Sequence, residues 1–164
     1  MNVTVPQKAD QKIRGIEASP FATMVSYRLS RVQAKLNAQA TRILKKHGDL
    51  SLTQWRVLVI LSELQVSTHS EIARLTEIDK GLLSRTLKGM IEAGLIVAKA
   101  SPSDNRQIQL TLSAVGYDKF EAARPAMRAR QSKLLGTMSE SENEILFRIL
   151  SKLEAAAEIS EETE

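Results

Sequence analysis

Apolar residues recur at three- and four-residue spacing along most of this chain, and only near its middle does the spacing tighten to two. Phe21, Val25, Leu29, Val32, Leu36, Ala40 and Ile43 mark one face of a long amphipathic helix. Ser19 and Pro20 suit its N-cap and first turn, and Gly48 falls just past its expected end at His47. A second helix starts near Leu52 and uses Trp55, Leu58, Val59 and Leu61. Thr68-His69-Ser70-Glu71 has the spacing of a capping box, in which hydroxyl and carboxylate each bond the other residue's backbone N–H. It opens a short third helix with Ile72, Ala73 and Leu75 inward. Asp79 caps a fourth helix, with Ile78 and Leu83 at the hydrophobic-staple positions, and Gly94 stops it after Ala93.

The period then changes. Leu95-Ile96-Val97 is a short apolar run, and Gln107-Ile108-Gln109-Leu110-Thr111-Leu112 alternates strictly, as a half-buried strand does. The polar segment Ser101-Pro102-Ser103-Asp104-Asn105-Arg106 between them predicts a hairpin with an exposed tip. Ser113 caps a fifth helix reaching about Leu135, which Pro125 is expected to kink. Ser139 and Glu142 form a second capping box. The last helix carries Ile145, Leu146, Ile149, Leu150 and Leu153 on one face.

The expected fold is therefore mainly α with a small β-hairpin wing: a winged helix-turn-helix with flanking dimerisation helices. Residues 1–18 are expected to be a flexible N-terminal arm, 19–48 a dimerisation helix, and 49–113 the winged helix-turn-helix lobe. Residues 114–158 supply C-terminal dimerisation helices and 159–164 an acidic tail. The stripes of the first, fifth and sixth helices exceed what the small lobe covers, so pairing two copies would bury them in a homodimer.

Composition narrows the chemistry. The chain has no cysteine, which excludes disulfides, thiolate zinc sites and thiol redox sensing. Its two histidines, His47 and His69, lack an acidic cluster, so neither metal nor cofactor is expected. No apolar run is long enough to span a bilayer, and the first twenty residues lack a secretory signal, so a cytoplasmic location is expected and no membrane partner. The net charge of +4 is unevenly spread. No acidic residue stands between Ala18 and Gly48, while eight glutamates crowd the segment after Ser139. A basic body attracts phosphate, though charge counts as evidence only when it lands on one face of an element.

The fourth helix provides such a face. Leu83, Leu87, Met90 and Ile91 form its core stripe. Gly81, Ser84, Arg85 and Lys88 form another, at i, i+3, i+4 and i+7, with no carboxylate until Glu92. Small residues permit close approach to a duplex, and hydroxyls and cations supply donors for phosphates and base edges, so double-stranded DNA is the expected partner. Ser70 and Lys80 flank this stripe. Arg85 suits a bidentate guanine contact. In the wing, Arg106 suits a narrow minor groove with Asp104 to orient it, and Lys99 and Asn105 lie alongside.

From about Leu52 to Gly116 the chain resembles the MarR family of multiple-antibiotic-resistance-type regulators. The resemblance is carried by Leu52-Thr53-Gln54-Trp55-Arg56-Val57-Leu58, Glu71-Ile72-Ala73, Ser84-Arg85 and Ala93-Gly94-Leu95-Ile96. Its most specific part is the wing, Asp104-Asn105-Arg106, followed by Leu110-Thr111-Leu112-Ser113 and Gly116. The resemblance implies a dimer built from both chain ends, repression as the default, and an anionic aromatic effector, an aromatic acid or its thioester, in a cleft near the dimer helices. Met24, Tyr27, Arg28, Arg31 and Trp55 are the available wall. Ala98 and Asn105 stand where relatives often have arginine, so wing contacts should be fewer. Catalysis is not expected: no nucleophile elbow, phosphate loop or metal spacing occurs. The alternative is a winged-helix module that binds protein and not DNA, which would not need Arg85, Lys88 and Arg106 to converge.

Overall fold

A computed structural model describes residues 20–101 and 107–158. Within these, α1 (Val25–His47), α2 (Leu52–Leu64), β1 (Val66–Thr68), α3 (His69–Thr76), α4 (Lys80–Glu92), β2 (Ile96–Ala100), β3 (Ile108–Leu112), α5 (Ala114–Leu135) and α6 (Glu140–Glu158) follow in order. The fold is mainly helical with a small antiparallel sheet, as the hydrophobic periods predict.

Three local features differ from the expectation. Pro20–Thr23 is a separate 3-10 turn, and the long helix begins only after Met24, whose extended backbone breaks the run. Thr23 donates its hydroxyl to the Pro20 carbonyl, closing that turn. The sheet has a third strand: β1 pairs with β3, giving the order β1-β3-β2, with Val66 opposite Thr111 and Ile96 opposite Leu112. Three residues are too few to show an alternation. Their only signals are the β-branched Val66 and Thr68 and the preceding Gln65, whose φ of 65° ends α2. Finally, Leu95 belongs to the turn before β2 and not to the strand. α5 continues as one helix across Pro125.

The helix starts are set by side chains. Ser51 and Gln54 form a reciprocal capping box at α2, and Thr68 and Glu71 form the expected one at α3. Asp79 accepts from the Leu82 N–H at 2.8 Å to cap α4. The turn from α3 to α4 passes through Glu77 in the left-handed region, φ 51°, an uncommon conformation for a side-chain-bearing residue that redirects the chain within three residues. At the other end of α4, Gly94 has φ +67°, and the Leu95 N–H reaches the Met90 carbonyl at 2.8 Å, closing a Schellman-type stop.

One core joins these elements. Leu44 of α1, Val57, Leu58 and Leu61 of α2, Ile72 of α3, Leu83, Leu87 and Met90 of α4, Ile96 and Leu110 of the sheet, and Phe120 and Ala123 of α5 form a single buried cluster. Each large aliphatic side chain removed from water contributes about 1.5–3 kcal/mol. α5 is tied to α1 by polar contacts as well. Arg130 donates to Gln39 Oε1 at 2.9 Å and to the Leu36 carbonyl at 3.0 Å, and Lys119 donates to the Gly48 carbonyl at 3.1 Å. A Cβ on Gly48 would stand 3.2 Å from both the Ala123 methyl and the Lys119 carbonyl, so a glycine lets the end of α1 approach α5. The shared core joins α3 and α4 in one lobe and leaves the outer face of α4 in solvent.

Candidate nucleic-acid interface

The outer face of α4 follows from its sequence period. Leu83, Leu87 and Met90 take the buried side, which rotates Lys80, Gly81, Ser84, Arg85 and Lys88 outward, all of them exposed. Ser70, the second residue of α3, is exposed as well. Ser70 and Lys80 share the wall of a cavity of about 680 Å³ with His69, Arg74 and Asp79. Ser84 and Lys88 share a second, of about 460 Å³, with His69, Leu87, Ile91, Ile108 and Leu110, between α4 and β3. His69 lines both, so it stands where the helix-turn-helix and the wing strand meet the α4 face.

Gly81 has a specific consequence for Arg85. A Cβ built on Gly81 would lie 3.5 Å from Nη1 of Arg85 and 3.2 Å from Oδ1 of Asp79. The guanidinium therefore lies back over the bare Gly81 position, towards the start of α4. Lys88 approaches Glu92 only to 3.9 Å, and both side chains are largely exposed, so this contact holds the lysine weakly. Lys99 is exposed on the edge strand β2, opposite Gln109. Asp104, Asn105 and Arg106 lie outside the described residues.

The electrostatics of the cap are clear. Glu71 accepts from the Thr68 N–H at 2.7 Å, the Thr68 hydroxyl at 3.0 Å and the Ser67 hydroxyl at 3.1 Å. The Thr68 backbone bond first, then the two hydroxyls, hold its carboxyl below the usual glutamate value. The carboxylate is thereby consumed at the start of α3, next to the α4 face.

The five residues considered for an effector are divided. Arg28 and Arg31 line a cavity of about 300 Å³ with Ala22, Val32 and Lys35. Tyr27 lies against Phe21, ring centroids 4.5 Å apart, with the Arg31 guanidinium 5.7 Å from its own centroid. Met24 is exposed. Trp55 stacks on Phe120 at 5.2 Å, at the junction of α2 and α5, and packs against the core cluster. Sequence reasoning missed the contact between His69 and Ser84, 2.9 Å apart across fifteen residues; a sequence carries no period or motif for a pair joined by a turn of this kind.

Two helices joined by a tight turn, the second exposing a carboxylate-poor cationic face and leading into an antiparallel hairpin, define a winged helix-turn-helix. The MarR family model matches residues 48–107. Over 124 residues the chain is 31% identical to the HTH-type transcriptional repressor IacR of Pseudomonas putida, covering 76% of this chain and 74% of that one. The chain belongs to the MarR family of transcription regulators. Its fold is similar to that of a MarR/EmrR family regulator from Acinetobacter sp. ADP1, with a TM-score of 0.75 at 24% identity over 80% of this chain and 93% of that one. It is equally similar, at TM-score 0.75 and 20% identity, to MepR of Staphylococcus aureus solved in complex with DNA, over 82% of this chain and 97% of that one. Among the described residues no helix is long and apolar enough to cross a membrane, and no group of three His, Asp or Glu side chains could hold a metal ion.

Proposed function

We propose that the protein is a homodimeric repressor that binds a palindromic operator through α4 and is released by a small anionic aromatic effector. The observation that carries the DNA reading is the outer face of α4: Lys80, Gly81, Ser84, Arg85 and Lys88 are all exposed, with no carboxylate among them. In this reading Arg85 reads a base edge, Lys80, Lys88 and Ser70 position the backbone, and Lys99 with Asp104, Asn105 and Arg106 serves the wing contact. Repression is supported by the kinship with IacR, itself named a repressor.

Dimerisation is supported by apolar surface without a partner in its own chain. α6 buries none of its residues, and Ile145, Phe147 and Ile149 are about half exposed. Phe21 of the Pro20–Thr23 turn and Val25, Leu29 and Val32 of α1 are similarly open. Exposed apolar side chains on two flanking helices suit an interface, and a two-fold pair would set two α4 helices about 34 Å apart, one turn of the duplex. The effector is the less direct part of the reading. Its support is the Arg28 and Arg31 cavity beside the exposed α1 face, where a carboxylate would find a planar cationic partner.

The decisive experiment is binding to duplex DNA from upstream of the protein's own gene and its neighbours at two salt concentrations. A footprint with two-fold symmetry, and an affinity that falls steeply with salt, are expected. Affinity no greater than for random duplex would leave the protein-binding module as the better reading. Aromatic acids and their thioesters are then screened for thermal stabilisation and for loss of the footprint; a screen without either effect removes the effector from the proposal.

A further inference from the structure

Ser84, on the exposed face of α4, has a hydroxyl that is engaged twice. Its Oγ stands 2.8 Å from the Lys80 carbonyl oxygen one turn back in the helix. It also stands 2.9 Å from Nε2 of His69, the first residue of α3. A carbonyl oxygen only accepts, so the single hydroxyl proton goes to Lys80. His69 Nε2 therefore faces a lone pair and itself carries the hydrogen of this contact. A serine oxygen has two lone pairs, of which His69 takes one. What Ser84 offers to a partner is the other: it is presented as an acceptor, not as a donor.

We infer that Ser84 reads an amino group on a base edge in the major groove, N6 of adenine or N4 of cytosine, and does not hold a phosphate, and that His69 is the positioning residue that fixes this polarity. The inference rests on the DNA-binding reading above and deepens it. Phosphate oxygens only accept, so an acceptor gains nothing from them. In the major groove guanine shows N7 and O6 and thymine shows O4 and a methyl group, again without a donor, whereas adenine N6 and cytosine N4 donate. Every base pair carries one such amino group, in a place that changes with its identity and orientation, so an acceptor fixed on the helix distinguishes among the four. The neighbours complete the logic. Lys80, Arg85 and Lys88 are donors only, suited to phosphates and to guanine, and Ser84 is the acceptor set among them. The His69 bond also spans the turn, tying the first residue of α3 to the second turn of α4, so the acceptor is held at the angle of the helix-turn-helix itself.

The test uses the full-length dimer and its operator. Each adenine is replaced in turn by purine, and each cytosine by its 4-deaminated pyrimidinone, which removes the amino group alone. A second series places a neutral methylphosphonate at each phosphate. One base pair per half-site is expected at which loss of the amino group weakens binding by about fivefold to tenfold, the size of one hydrogen bond. Ser84→Ala should bind the intact and deaminated duplexes equally at that pair, while responding normally to every methylphosphonate. His69→Gln keeps an N–H donor of similar reach and should retain the discrimination; His69→Ala should lose most of it. Thermal unfolding and dimer mass check that the variants fold. The inference is overturned if Ser84→Ala keeps the sensitivity of the unmutated protein to every amino group, or if it loses sensitivity to a methylphosphonate instead. It is overturned too if His69→Gln and His69→Ala discriminate equally. Absence of operator binding by the unmutated protein would be a distinct result, and would remove the DNA reading and the inference together.

Discussion

Gly116, in the first turn of α5, lies so close to the Leu95 carbonyl that a Cβ on it would stand 2.0 Å from that oxygen. The same carbonyl receives the Ser113 N–H at 3.2 Å, the Ser113 hydroxyl donates to the adjacent Gly94 carbonyl at 2.6 Å, and the Ser113 oxygen in turn accepts from the Gly116 N–H at 2.9 Å. Leu95 is the residue at which α4 turns into the wing, and Gly116 is where the sheet gives way to the long helix α5. The contact thus fixes the reading lobe to α5, with no space for a methyl group between them.

Three glycines should therefore respond differently to the same substitution. Gly116→Ala forces backbone apart and is expected to cost more than about 3 kcal/mol, the range of severe core disruptions. Gly94→Ala places a side chain on a φ of +67°, with open space around it, and should cost about 1 kcal/mol from backbone strain alone. Gly89→Ala sits inside α4 with open space beyond the helix's own backbone and should stabilise by about 0.5–1 kcal/mol through helix propensity. Urea denaturation of the three variants checks the order. A Gly116→Ala protein as stable as Gly89→Ala would show that the α5 junction yields easily.

Which parts of this architecture were legible beforehand follows from what each depends on. The helices depend on period and caps, and both are written locally. Asp79, Thr68–Glu71 and Ser113 cap the helices their spacing announces, and the core stripe of α4 is the buried one. β1 was not legible, because three residues that pair only with a distant strand have no period of their own. The separate turn at Pro20–Thr23 was hidden for a similar reason: Phe21 and Val25 keep helical spacing across a break that backbone geometry alone creates at Met24. The α4 stripe could be read as a face, but not the state of Ser84 within it, which depends on His69 arriving from another helix. Trp55 looked available as a cavity wall; its stacking on Phe120, sixty-five residues away in sequence, is a tertiary fact.

The cap of α3 should make stability depend on acid. Glu71 is held below its usual value by Thr68 and Ser67, and Glu142 is held below its own by the backbone and hydroxyl of Ser139 at the start of α6. Since the folded values lie below the unfolded ones, this stabilisation is complete above the ordinary glutamate range. It is lost as pH falls from that range through the folded-state values. Thermal unfolding as a function of pH should show a falling acid limb. Glu71→Gln, which keeps an accepting oxygen without a titrating proton, should make that limb shallower. An identical limb in the variant would assign the acid sensitivity to other carboxylates.

If the chain pairs as proposed, removal of residues 139–164 should abolish the dimer. α6 contributes no buried residue to its own chain, so the monomer's core should survive its loss, while the open face of α1 would remain. Monomers or aggregates are expected in light scattering, with helical circular dichroism retained by the rest of the chain. A soluble truncated dimer that still protects a two-fold footprint would place the interface elsewhere.

Arg85 and Gly81 give the sharpest test of the recognition face. Arg85 lies on the exposed face of α4 with its guanidinium over Gly81, and in the proposed complex it would meet base edges. Arg85→Ala should cost about 1–3 kcal/mol per half-site and blur preference at one or two base pairs. Gly81→Ala adds a methyl 3.5 Å from the guanidinium and 3.2 Å from the capping carboxylate of Asp79. The helix gains propensity, so the variant should unfold no more easily, yet the surface that approaches DNA is raised by one carbon, and affinity should drop for all operators alike. Arg106→Ala, in the wing segment, should weaken binding evenly, with some dependence on A·T content through groove width, and should flatten the salt dependence. Affinities across single-base operator variants at two salt concentrations separate the three. If Arg85→Ala left the base preference intact while Arg106→Ala abolished it, the wing and not α4 would be the reading element, and the exposed stripe of α4 would serve only to grip the backbone.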